Sequence, residues 1–97
     1  MIIGKVEIDM VAIPEEGMVQ VFFDYGNHML TIEKELDGKC HSDGVPILKC
    51  PHCGKRVGIE CKDIVLKVKE TPLETTYIVR IICPHCKKTI ATLKDEA

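Results

Sequence analysis

The sequence predicts a small all-β protein in two parts: an N-terminal three-stranded antiparallel meander, then a half built on two similar tight turns with an extended β-hairpin between them. Three observations predict it. Apolar residues alternate with polar ones along most of the chain, which is the period of a strand with one buried face. Clusters of Gly, Pro, Asp and Asn punctuate the alternating runs at turn-like spacing. The tetrapeptide Cys-Pro-His-Cys occurs twice, at 50–53 and 83–86.

The first strand is expected from the even positions Ile2, Val6, Ile8, Met10 and Ala12, with Lys5, Glu7 and Asp9 between them. Pro14-Glu15-Glu16-Gly17 is a turn, and Met18–Phe23 a second strand. Asp24-Tyr25-Gly26-Asn27 turns again, and Met29, Leu30 and Ile32 open a third strand that runs to Leu36. Residues 1–37 form the meander, and 38–45, rich in Gly, Asp and Ser, are the expected linker to the half at 46–97. In that half, Val45–Lys49 lead into the first knuckle and Arg56–Glu60 lead out. Ile64, Leu66 and Val68 mark a strand, Thr71–Glu74 a turn, Thr76–Ile82 a return strand, and Thr89–Leu93 a last strand.

Each knuckle places two thiols three positions apart around a tight turn, so both sulfurs can face one point. Two such turns supply four soft ligands, the complement of a closed tetrahedral site. Proline after the first cysteine fixes φ near −65° and starts the turn. Gly54, after the second cysteine, suits a left-handed backbone; Lys87 holds that place in the second copy, which should make its turn slightly strained. Residues 48–57 align with 81–90 at an offset of 33, as two like knuckles facing one ion.

Over residues 46–94 these motifs resemble the zinc ribbon superfamily, whose knuckles are CPxCG followed by Lys or Arg. The resemblance implies that Cys50, Cys53, Cys83 and Cys86 hold one Zn²⁺ per chain. It also implies a β-hairpin between the knuckles with a third strand beside it. The 29 residues between Cys53 and Cys83 exceed the about 15–20 of the simplest spacing, and a long hairpin over 62–82 would absorb them. Rubredoxins carry similar knuckles around iron and shuttle one electron. Their cores are aromatic-rich and acidic, whereas this span is basic and holds only Tyr77, so iron is the lesser expectation.

Other groups weigh less. His52 and His85 are expected as exposed knuckle tips. Cys40 and His41 could share a second ion with Cys61, although spacing gives no support, and Cys61 better suits a small buried apolar group. No catalytic constellation is present: there is no phosphate loop, nucleophile elbow or HExxH. A thiol enzyme built on Cys40 and His41 would need geometry that neighbouring loop residues seldom hold. The expectation is a non-enzyme with no small-molecule substrate.

Net charge is −2. Residues 1–37 carry two basic and eight acidic side chains, a net of −6, and residues 38–97 carry eleven and seven, a net of +4. Two partner classes follow. The meander cannot enclose its own core and has open edges, which favours a protein partner or self-association. A basic segment at 45–69 could meet nucleic acid through Lys49, Lys55, Arg56 and Lys62, with Lys87 and Lys88 near the second knuckle. The absence of an apolar leader or a membrane-length apolar run, with CxxC pairs suited to a reducing compartment, makes the expected location cytoplasmic and off the membrane.

Overall fold

The computed structural model describes residues 1–96. Among them the regular secondary structure is almost wholly strand, with two short 3-10 turns (Pro14–Glu16 and Cys61–Asp63) and no α-helix. The strands are β1 (Ile2–Ile3), β2 (Val6–Ile13), β3 (Met18–Asp24), β4 (Met29–Glu35), β5 (Cys40–Ser42), β6 (Ile47–Lys49), β7 (Arg56–Gly58), β8 (Ile64–Glu70), β9 (Thr75–Ile82) and β10 (Thr89–Glu96). They form three antiparallel sheets: β1-β2-β3-β4-β5, β10-β9-β8, and the hairpin β6-β7.

The N-terminal sheet has the expected meander at its centre, widened by a strand at each edge. Ile2 departs from the even-position face because Gly4 and Lys5 turn the chain back on itself. β1 then pairs with the start of β2, setting Ile2 opposite Glu7, and Ile2 is left 66% exposed. The other edge strand, β5, lies inside the stretch expected as a linker and pairs Ser42, His41 and Cys40 with Ile32, Glu33 and Lys34.

Alternation then sets the core. Val6 and Ile8 on β2, Val19, Val21 and Phe23 on β3, and Ile32 on β4 are buried. Tyr77, Val79 and Ile81 on β9 bury the opposing face, and all belong to one apolar cluster that runs through both halves of the chain. The meander therefore covers itself with the C-terminal sheet. β2 lies against β10, where the Asp95 carboxylate accepts the Ala12 amide at 2.6 Å. This satisfies a donor on the part of β2 that β1 is too short to pair. On β10 the register shifts between Thr89 and Ala91, so consecutive Ile90 and Ala91 both turn inward.

No described helix is long and apolar enough to cross a membrane.

Candidate metal centre

Strand alternation delivers the first cysteine of each knuckle to the interior. On β6 the buried series Pro46 and Leu48 continues to Cys50; on β9 the series Val79 and Ile81 continues to Cys83. Leu48 and Ile81 are equivalent positions of the 33-residue repeat, as are Cys50 and Cys83. Each chain then turns sharply and returns the second cysteine, Cys53 or Cys86, half-buried, toward the same point.

The two turns share one hydrogen-bond plan. Cys50 donates its amide to the Lys55 carbonyl and accepts the Gly54 amide, both at 2.9 Å; Cys83 does the same with Lys88 and Lys87, both at 2.9 Å. That plan needs a left-handed residue after the second cysteine. Gly54 has φ +74° and Lys87 φ +65°, and Lys87 is the one non-glycine with positive φ among the described residues. The strain expected in the second knuckle is thus located at a single residue.

The four sulfurs lie within 4.8 Å of one another. Cys50 Sγ is 3.7 Å from Cys86 Sγ, and Cys53 Sγ is 3.9 Å from Cys83 Sγ. A regular tetrahedron with metal–sulfur bonds of about 2.3 Å has sulfur–sulfur edges of about 3.8 Å. The constellation therefore fits a metal ion with four thiolate ligands. Four sulfurs fill the tetrahedron and leave no coordination position for substrate.

The thiols are unequal as acids. Burial pushes Cys83 up, but the Cys86 and His85 amides aimed at its sulfur and the neighbouring thiols outweigh it, bringing Cys83 down to about 7. The Cys86 amide lies 3.4 Å from that sulfur. At Cys86 the Lys88 amide pulls downward, yet burial and the three surrounding sulfurs win and push it up to about 11. The amides and thiols around the two sulfurs thus favour the thiolate at Cys83 and the thiol at Cys86 until a cation arrives.

The remaining sequence candidates fall as follows. His52 is an exposed tip, but it is not idle: its Nε2 lies 3.0 Å from the Thr89 carbonyl, bridging the first knuckle to the strand after the second. His85 is exposed. Cys61 is not an isolated apolar group, and no second ion forms at Cys40, His41 and Cys61. Cys40 and Cys61 are joined in a disulfide across 21 positions, which leaves neither sulfur free to ligate. It fastens edge strand β5 to the 3-10 turn before β8. His41 Nε2 lies 4.0 Å from Glu35 Oε2, beyond hydrogen-bond reach, and that carboxylate oxygen is buried without a hydrogen-bond partner. The disulfide escapes sequence reasoning because one partner sits on edge strand β5 and the other in the 3-10 turn before β8, and nothing local marks them.

Among the basic residues, Lys49 and Arg56 are brought directly opposite each other on the β6-β7 ladder. Lys55 lies in the first knuckle, and Lys87 and Lys88 in the second. Lys62 lies elsewhere, 3.5 Å from Glu60. Tyr25, in the turn after β3, lies against the same hairpin: its hydroxyl accepts the Ile47 amide at 2.7 Å and donates to the Ile47 carbonyl at 2.9 Å.

Comparison with protein-family models, with curated proteins and with solved structures returns no match. The four-cysteine centre thus rests on its own geometry.

Proposed function

We propose that this chain is a non-catalytic module of zinc-ribbon type, held together by one structural Zn²⁺ on Cys50, Cys53, Cys83 and Cys86, and that it acts as a protein-interaction adaptor. One observation carries the structural role: the four sulfurs lie within 4.8 Å of one another, two of their separations match a tetrahedral edge, and two of the cysteines are fully buried. A site filled by its own ligands stabilises a fold and has no room for a reacting group. Zinc is favoured over iron by surroundings. The span between the knuckles is basic, and Tyr77 is its one aromatic.

The adaptor reading rests on β8. It is an edge strand of its sheet, and its last four residues, Lys67–Glu70, are all exposed. Val68 is 41% exposed and Leu73, at the following turn, 96%. An unpaired edge with apolar side chains accepts an added strand. A second β8 would set Lys67 and Lys69 against their own copies, so an acidic extended segment of another protein suits the edge better. Sedimentation should find the isolated chain monomeric. A host-lysate capture insensitive to nuclease, and lost with Lys67→Glu and Lys69→Glu together, supports the reading; a capture that nuclease abolishes refutes it.

A further inference from the structure

The N-terminal sheet and the first knuckle enclose a cleft of about 760 Å³ whose walls come from both halves of the chain. That volume lies within the about 300–1,000 Å³ of sites that hold small organic groups. Lys5 enters it from the β1–β2 turn, Lys49 and Arg56 from the β6-β7 hairpin, and no carboxylate lines it. Glu7 and Asp24 border Lys5 in a separate depression, and neither comes within 4.0 Å of its Nζ. None of the three cations is ion-paired among the described residues.

Two features of this arrangement are unfavourable unless something fills the cleft. Like charges directly opposite on an antiparallel ladder are destabilising, and Lys49 faces Arg56. Lys5, one of only two basic residues in an N-terminal segment of net −6, lines the same cleft and so adds a third cation beside this pair. An anion seated between them would offset both costs. Neutralising the metal centre would account for Lys49 and Arg56 at most; it gives Lys5 no role.

The cleft also has an aromatic wall. Tyr25 and His28 stack with centroids 4.7 Å apart and planes 3° from parallel. Tyr25 is fixed by its two hydrogen bonds to Ile47, and His28 Nδ1 lies 2.7 Å from Asn27 Oδ1. His28 is exposed, so a flat ring can extend the stack. Cations beside an aromatic platform are the combination that holds an unstacked nucleotide: the groove takes phosphate and the ring takes the base.

We infer that this cleft, formed by Lys5, Lys49, Arg56, Tyr25 and His28, binds a short stretch of single-stranded nucleic acid, with successive backbone phosphates on the three cations and one base on the His28 ring. The inference goes beyond the adaptor reading and shares no residue with the β8 edge.

The test is fluorescence anisotropy of a labelled single-stranded dodecamer with the intact, metal-loaded chain. Three phosphate contacts predict a log–log salt slope of about −2, so affinity should fall roughly 16-fold between 50 and 200 mM salt. Lys49→Ala with Arg56→Ala should flatten the slope to about −0.7. His28→Ala should weaken binding roughly tenfold or more and leave the slope unchanged. Lys49→Glu should bind weakly yet melt no lower than the parent, because it turns a repulsive cross-strand pair into an attractive one. Duplex of the same sequence, whose bases are already stacked, should bind less well. The inference is overturned if the dodecamer fails to bind at 50 mM salt, if the variants bind like the parent, if duplex binds as well, or if a polyglutamate peptide binds better. A monophosphate nucleotide that competes marks the same cleft acting on single units. Zinc content is measured in parallel, so a chain that holds one zinc and ignores the dodecamer sinks this inference alone.

Discussion

Position 87 allows the knuckle design to be tested against its own internal copy. Gly54 and Lys87 occupy equivalent places, donate the same 2.9 Å amide bond to the first cysteine of their knuckle, and have φ of +74° and +65°. A Cβ built on Gly54 meets nothing within 4 Å, so any penalty there is backbone conformation rather than crowding. A left-handed L-residue costs roughly 1–2 kcal/mol. The extra freedom of glycine in the unfolded chain returns about 0.4–1 kcal/mol. The net preference for glycine over alanine should therefore be about 0.5–1 kcal/mol at each site. Comparing Lys87→Gly with Lys87→Ala removes the lysine charge from the comparison, since both variants lack it. The Gly variant should exceed the Ala variant by the same amount that the parent exceeds Gly54→Ala. For a chain of this length that is about 3–6 °C in Tm. The assay is equilibrium unfolding in denaturant at one buffered free-zinc concentration, because bound metal adds to apparent stability by mass action. Equal stability of Lys87→Gly and Lys87→Ala would refute the reasoning, as would a Gly54→Ala variant as stable as the parent.

Two further outcomes are expected. The Cys40–Cys61 bridge closes a loop of 21 positions, and chain-entropy arguments give such a loop about 3 kcal/mol. Cys40→Ser with Cys61→Ser should lose about that much in denaturant unfolding while keeping its metal, and thiol titration of the denatured, metal-free parent should count four thiols rather than six. Metal uptake should depend on pH in two stages. A thiol of lowered pKa is ionised above that value and protonated below it, so Cys83 enters as thiolate above about 7. Cys86, near 11, must shed its proton at any pH below that. Calorimetry in buffers of different ionisation enthalpy should therefore find roughly one more proton released per metal at pH 6 than at pH 8, with affinity falling more steeply below pH 7. Equal proton release at the two pH values would contradict the assignment of Cys83 as the early thiolate.

Much of the fold was legible because strand alternation is a local signal. The even series Val6, Ile8 and Met10 and the β-branched run Thr76–Ile82 marked strands that the structure contains. Repetition of the knuckle made the ligand set legible too, and the Gly54/Lys87 difference even located the strain. What alternation cannot show is where a strand folds back. Ile2 sits on the same parity as Val6 and Ile8, yet Gly4 and Lys5 reverse the chain and leave it exposed. β5 was hidden because Asp, Gly and Ser dominate its neighbourhood, and its pairing is set by β4 rather than by its own residues. Long-range pairs were hidden for the same reason. The Cys40–Cys61 bridge, the Tyr25 bonds to Ile47 and the His52 contact with Thr89 span 21, 22 and 37 positions, and each depends on how whole sheets pack.

X-ray absorption on the purified, metal-loaded chain tests the central claim most directly, because it reports the element and its ligands together. One zinc per chain, with a shell of four sulfurs at about 2.3 Å, is the predicted result. A shell containing nitrogen or oxygen, an iron edge in place of zinc, or a folded chain with no metal would contradict it.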